Sequence, residues 1–250
     1  MDVETPKVLE VADGVWVRQE IDNIGWVDMG DGLLIVDALE HKEKEDDVIQ
    51  AMQDTAGDKP LKYLLNTHTH YDHIALNDVF HDRGAEVINA HLKDIPQDGL
   101  TIEGPQRSAK MIPFPGCHTT EDCVVWIPES KVLFMGDLFG WGLIPLTRNM
   151  RTEEFSLLVS TYERLIDYGA DVVVAGHGPL LDNNVLRRYV DYIHWLRTEC
   201  RRRVESDQSD RQILKEIKPP EDMEDWWRFT SWKHEDSVAK MLKSVRRDWV

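Results

Sequence analysis

The run Leu61-Lys62-Tyr63-Leu64-Leu65-Asn66-Thr67-His68-Thr69-His70-Tyr71-Asp72-His73 decides the reading of this 250-residue chain. Its apolar opening, Leu61 to Leu65, reads as a short buried strand. Three imidazoles and a carboxylate follow within the six residues from His68 to His73. Those are the nitrogen and oxygen donors that zinc and similar borderline ions take. In an extended segment His68 and His70 point to the same side and can share one ion. Asp72 and His73 lie just past it, where a turn would direct both to a second.

A second ion needs further ligands, and three follow in order. His118 sits in Pro115-Gly116-Cys117-His118-Thr119, Asp137 ends the run Val132-Leu133-Phe134-Met135-Gly136, and His177 sits in Ala175-Gly176-His177-Gly178-Pro179. Glycine beside or just before each lets the backbone turn tightly next to a crowded site. Taken singly, each is weak: a lone loop histidine reads first as structural or solvated, and a strand-end aspartate as a cap. Their joint occurrence after the first motif points to a metal site of seven side chains.

Outward from that site, Val15-Trp16-Val17, Ile24 to Val27 and Leu33 to Val36 read as strands separated by turn-forming Asp-Gly or Asp-Asn pairs. Residues 42–56 carry Val48, Ile49 and Met52 at helical spacing on a polar background. Strands are predicted at Ala85–Asn89, Met111–Phe114, Cys123–Ile127, Val132–Met135 and Val172–Ala175, with a helix over Thr152–Tyr168. After about residue 183 the pattern becomes helical and Arg-rich through Val204, then polar, broken at Pro219-Pro220, and ends in a Trp-rich tail with a helix near Ser237–Val245. The expected organisation is a catalytic domain at 1–182 and a helical appendage at 183–250 packed on it. Strands first and mixed elements later indicate an α/β protein of two mixed sheets covered by helices.

These segments resemble the metallo-β-lactamase superfamily over roughly residues 10–180. The resemblance implies a four-layer αββα sandwich with the site at one edge of the two sheets. It implies that His68, His70 and His118 hold one ion, that Asp72, His73 and His177 hold the other, and that Asp137 bridges both. Asp37 matches a position that braces the site, although a strand-end cap explains it equally. Aspartate at 137, where β-lactamases carry cysteine or serine, resembles glyoxalase II, lactonases and related ester and thioester hydrolases. The run His118-Thr119-Thr120-Glu121-Asp122-Cys123 departs from the common Pro-Gly-His-Thr-Pro-Gly-Ser pattern and resembles a subgroup of glyoxalase-like hydrolases, which weakens any transfer of glutathione specificity.

The implied cofactor is a pair of divalent ions, zinc first, with iron and manganese as alternatives. Two ions sharing a carboxylate lower the pKa of a bridging water. The resulting hydroxide is expected to attack an ester, thioester or lactone carbonyl, with catalytic Asp72 orienting it and taking its proton. Alternatives within the same motif set are a sulfur dioxygenase with one iron acting on a persulfide, and a β-lactam or phosphodiester hydrolase.

Composition narrows the partners. With 46 acidic and 29 basic residues the formal charge is −17, which repels a phosphate backbone and argues against nucleic acid. A small-molecule substrate is expected. No run reaches the roughly 18–20 apolar residues of a membrane span, and Met1 to Pro6 lacks the basic start and apolar core of a signal peptide, so the cytoplasm is expected. Three cysteines, Cys117, Cys123 and Cys200, form no disulfide pattern. Arg187, Arg188, Arg201, Arg202 and Arg203 offer cations for an anionic substrate, or a solvated helix face. Trp141 and Tyr71 are candidates for the pocket or for packing. Trp226, Trp227 and Trp232 read as anchors docking the tail onto the sandwich or onto a second subunit of a homodimer. His234 is a candidate to face the site, and His41, His81, His91 and His194 have no motif context.

Overall fold

Alternating and fully apolar strands bury both faces of the first half of the chain, and that requires a second sheet on one side and helices on the other. The computed structural model describes residues 5–145, 151–248 and 250; the N-terminal reading at residues 1–4 lies outside them. Among the described residues, β1 (Lys7–Ala12), β2 (Val15–Gln19), β3 (Ile24–Asp28), β4 (Leu33–Val36), β5 (Leu61–Leu65) and β6 (Glu86–Ile88) form one six-stranded sheet in that order. The other sheet has five strands: β7 (Leu100–Glu103), β8 (Ser108–Pro113), β9 (Cys123–Ile127), β10 (Val132–Gly136) and β11 (Val172–Ala175), in the order β11-β10-β9-β8-β7.

Three apolar clusters set the layers. Val17, Val36, Leu65, Met111, Val125 and Phe134 pack between the sheets. On the outer face of the first sheet, Trp26, Ile35 and Leu64 meet Val48 and Met52 of α1 (Glu45–Ala56) and Phe80 of α2 (Asn77–Asp82). On the outer face of the second, Leu133 and Val173 meet α3 (Thr152–Asp167), α4 (Asn183–Glu205) and α6 (His234–Arg246). This is the αββα sandwich.

Two parallel pairings place the site. β4 and β5 run parallel with Val36 opposite Leu65, so Asp37 and the His68–His73 loop leave the sheet side by side. β10 and β11 run parallel with Gly136 opposite Ala175, so Asp137 and His177 emerge together. The sheets are joined at this edge where the Cys123 amide donates to the Thr67 carbonyl at 2.7 Å.

The predicted central strands and long helices are present. Beyond them the structure adds β1 and β7, both at sheet edges, together with α2 and α5 (Asp210–Glu216). Residues 210–211, read as polar tail, open α5, whose Ile213 is buried. A π-helical turn, Phe229–Lys233, runs directly into α6. No described helix is long and apolar enough to cross a membrane.

Candidate metal centre

Seven side chains from four loops converge at the sheet edge. His68, His70, His118 and Asp137 form one group of donors, and Asp72, His73, Asp137 and His177 form the other; within each group the candidate ligand atoms lie within 4.8 Å of one another. Asp137 belongs to both. Its Oδ2 is 3.5 Å from His118 Nε2, and its Oδ1 is 3.3 Å from both His73 Nε2 and His177 Nε2. His118 Nε2 lies 3.0 Å from His70 Nδ1, and the rings of His68 and His118 are 5.0 Å apart. His177 Nε2 is also 3.3 Å from Asp72 Oδ2. All seven expected ligands are therefore brought to one place.

The backbone allows this closeness only where side chains are absent. A Cβ on Gly176 would lie 2.2 Å from Asp137 Oδ1 and 2.7 Å from His73 Cε1.

Charge is distributed unevenly across the cluster. Burial and the neighbouring His73 push His68 down to about 2. Burial also disfavours charge on His73, but Asp37 and Asp137 outweigh it and raise the imidazole to about 10. Burial opposes charge on His177 too, yet the carboxylates of Asp137, Asp22 and Asp72 around it lift it to about 12. Asp137, although burial alone would raise it, is held well below the usual carboxylate range by His73 and His177.

Four buried atoms at the centre, His68 Nε2, His73 Nε2, Asp72 Oδ1 and Asp137 Oδ1, have no hydrogen-bond partner. Buried polar atoms left this way are costly. Convergent nitrogen and carboxylate donors with unpaired atoms facing one another fit divalent metal ions, which would satisfy them together.

A ring of supporting residues fixes the ligands. Asp37 accepts from the Thr67 amide at 2.8 Å and from its hydroxyl at 2.9 Å, and its Oδ2 lies 3.1 Å from His73 Nδ1. Its left-handed backbone (φ 62°) is costly for a non-glycine residue and aims the carboxylate inward. Asp22 Oδ1 is 2.9 Å from His177 Nδ1, and Asn23 donates to the carbonyls of Ala175 and Gly178 at 2.9 and 2.8 Å. The Asp22-Asn23 pair expected to be turn punctuation is thus the clasp of the His177 loop. Asp122 accepts from the amides of His118 and Thr119 at 2.8 and 2.9 Å. Glu121 accepts from the Thr69 amide at 3.2 Å and from its hydroxyl, and pairs with His91 Nε2 at 2.5 Å. None of Asp22, Asn23, Asp122, Glu121 or His91 stood out in the sequence, because each acts through a contact that only the fold creates.

A cavity of about 390 Å³ opens from the centre. Asp72, His118, Asp137 and His177 line one side; Trp141, Trp227, Trp232 and Lys233 line the other. Several readings change here. The helix-α4 arginines are not among its lining residues: Arg188 pairs with Asp222 at 2.5 Å, Arg202 with Glu199 at 2.8 Å and Arg203 with Glu216 at 2.7 Å. Local carboxylates satisfy these three, and Arg201 donates instead to the Val250 carbonyl at 2.8 Å. His234 turns away and is held by Tyr192 at 2.9 Å and the Ile217 carbonyl at 3.2 Å. Tyr71 is 69% exposed and does not line the cavity. Trp141 and two of the three tail tryptophans do, whereas Trp226 packs against Phe139 and Phe229.

Fold and site together define a helix–sheet–sheet–helix protein with a His/Asp cluster suited to metal at one sheet edge. The metallo-beta-lactamase superfamily model matches residues 18–117 and 84–177, and the chain belongs to that superfamily, most of whose members are metallo-hydrolases. It is 25% identical over 178 residues to the Beta-lactamase-like protein 2 homolog of Caenorhabditis elegans, covering 65% of this chain and 54% of that one. It is 38% identical over 94 residues to the Hydroxyacylglutathione hydrolase of Rhodospirillum rubrum, covering 33% of this chain and 36% of that one. The chain thus spans about half of the first relative and about a third of the second. Among solved structures, a metallo-beta-lactamase from Pontibacter korlensis superposes with TM-score 0.60 at 20% identity over 75% of this chain and 98% of that one. The stereoselective inverting sec-alkylsulfatase Pisa1 from Pseudomonas sp. superposes with TM-score 0.72 at 14% identity over 96% of this chain and 50% of that one. At those identities the likeness is one of fold, and in the second case it extends through the C-terminal helices.

Proposed function

We propose that the protein is a hydrolase of ester, thioester or lactone bonds that works with two divalent metal ions, zinc first. The observation that carries this reading is the pair of donor groups sharing Asp137, with buried and unpaired nitrogen and oxygen atoms turned toward each other. His68, His70 and His118 would hold one ion, Asp72, His73 and His177 the other, with Asp137 common to both. Such ions supply Lewis acidity and an acidified water.

The chain's own residues do the rest. Asp72 is kept ionised: burial alone would raise it, but the hydrogen bond and charge of His177 and the charge of His73 hold it down. Its Oδ2 is engaged with His177, and its unpaired Oδ1 is free to orient water and accept a proton as the carbonyl is attacked. Trp141 and Trp227 wall the cavity and keep bulk water from the reacting carbonyl. Similarity to a hydroxyacylglutathione hydrolase over 94 residues supports the thioester end of this range.

Elemental analysis together with assay of an acyl thioester, an aryl ester and a lactone tests the proposal. Two ions per chain, loss of turnover on chelation, and a drop of at least about a thousandfold in His70→Ala are expected. Full turnover by the chelated protein would sink it. One iron per chain with oxygen uptake on a persulfide would replace it with the dioxygenase reading.

A further inference from the structure

Apart from histidines, the buried basic side chains among the described residues are Arg18 and Lys233, and their surroundings differ. Arg18 is paired with Glu20 and with Asp47, each at 2.6 Å. Lys233 is 3% exposed, and among the described residues its nitrogen has neither a hydrogen-bond nor an ion-pair partner. Buried lysines in folded proteins are nearly always paired. This one closes the π-helical turn Phe229–Lys233 and lines the cavity that opens from the metal centre. Its Nζ lies 4.1 Å from the centre of the Trp227 ring. That ring packs on Gly178, beside His177, where a Cβ would lie 2.6 Å from it. Arg228 sits over the same indole at 4.6 Å. None of the cavity's carboxylates, Asp22, Glu40, Asp72 and Asp137, pairs with the amine. Lys240, the cavity's other lysine, is already engaged by Asp236 and the Ile144 carbonyl, each at 2.9 Å. A lysine stripped of water and set beside a second cation favours the free amine, which is its nucleophilic form. Burial and the charge of Arg228 pull Lys233 down to about 7, with Asp137 offsetting part of the fall.

We infer that Lys233 is an acylation site of this protein, a nucleophilic amine that takes the acyl group of a thioester lodged in the cavity. The amine nitrogen bonds to the carbonyl carbon, the carbon–sulfur bond breaks, and the departing thiolate takes the proton that the nitrogen sheds. The products are an amide on Lys233 and a free thiol. Because the side chain is buried, an electrophile reaches it through the cavity, and the acyl group must fit there first. An apolar body matches Phe139, Leu143, Trp141 and Trp232. The amide is neutral and not basic, so acylation fills the cavity and removes its unpaired amine. The choice of a thioester rests on the hydrolytic reading above, whereas the nucleophile stands on the geometry of the tail alone.

Site-resolved labelling of the wild-type protein separates the two. The metal-loaded protein is incubated with the N-acetylcysteamine thioester of 4-phenylbutyrate, renewed as it is consumed. Peptide mass spectrometry locates the acylated lysines and times each one across a range of pH. At about pH 7.5 Lys233 should be acylated at least about tenfold faster than the exposed, carboxylate-paired Lys42 and Lys131. Its rate should level off once the pH passes about 7, while theirs should keep rising about tenfold per pH unit. Acylation of Lys233 no faster than at those surface lysines, or at a rate that climbs in step with theirs, overturns the inference. Metal-dependent release of thiol, followed in the same mixtures, reports hydrolysis by itself. Acylated Lys233 without such release overturns the hydrolytic reading and leaves the acylation site standing; release with Lys233 no more acylated than the surface lysines does the reverse.

Discussion

Asp22 touches no candidate ligand atom facing the centre; it holds His177 by the far ring nitrogen, Nδ1. Asp22→Ala should therefore leave the seven candidate ligands in place but let the ring of His177 swing. Loss of such an orienting partner weakens metal binding by about 10–100-fold, and competition with a chelator would read it; unchanged affinity would show that the ring is held by packing. Lys233 gives a stability prediction with a definite sign. Its folded value, about 7, lies below the 10.5 of a free lysine. Between those pH values the unfolded chain holds a proton that the native state lacks, so stability rises with pH across the window and the penalty is complete below 7. Arg228 adds to that penalty and Asp137 offsets part of it. In Lys233→Met the penalty disappears. The variant should be more stable by roughly 2–4 kcal/mol near pH 6, and the gain should shrink toward pH 10, as thermal melts at the two pH values would show. A gain independent of pH would mean that packing rather than charge is responsible. The candidate ligands were legible because His68 to His73 compress a metal-binding pattern into six residues, whereas Asp22 and Lys233 look like ordinary turn and tail residues until the fold brings them to the site.

At the level of elements, the cavity wall depends on how the tail seats against the sandwich. Gly142 adopts φ +87°, and a Cβ there would lie 2.4 Å from the ring of Phe229, the first residue of the π-helical turn. Gly142→Ala should displace that turn, and with it the cavity wall of Trp227, Arg228 and Lys233. We expect a stability loss of about 1–3 kcal/mol, with metal content unchanged. Wild-type stability in Gly142→Ala would show that the turn accommodates the added methyl. The π-helical turn explains why this part of the site was hidden. Helical spacing predicted α6 from Ser237 onward, but a π turn breaks the 3.6-residue period, so Lys233 fell outside any recognisable face. Edge strands were hidden for a related reason: β1 has no fully buried residue and β7 has one, which leaves too little apolar contrast for a period to be read. Central strands such as β4 and β10, buried along their whole length, and the amphipathic α3 and α4, were legible because the core imposes the pattern directly.

For the whole molecule, the question is whether residues 183–250 are an appendage. Their composition changes abruptly, which is why a boundary at 182 reads well in the sequence. Their side chains pack into the sandwich's own core, as an appendage docked on the same domain would. Met223, Phe229, Val238, Met241 and Leu242 are buried in the same cluster as Phe139, Leu158, Tyr162 and Leu165, and Ser237 ties into the Gly142 carbonyl and the Ile144 amide at 2.9 Å each. Each such apolar side chain contributes about 1.5–3 kcal/mol on burial, so these five alone represent roughly 8–15 kcal/mol. A whole domain is stable by only about 5–15 kcal/mol. Deleting residues 206–250 should therefore abolish cooperative unfolding and expose enough apolar surface to bind a hydrophobic dye, even with α4 retained and metal supplied. A truncated chain that melts cooperatively near the wild-type temperature and keeps its metal would show that the sandwich folds by itself. In that case the tail would be a wall added to a finished domain, rather than the last part of its core.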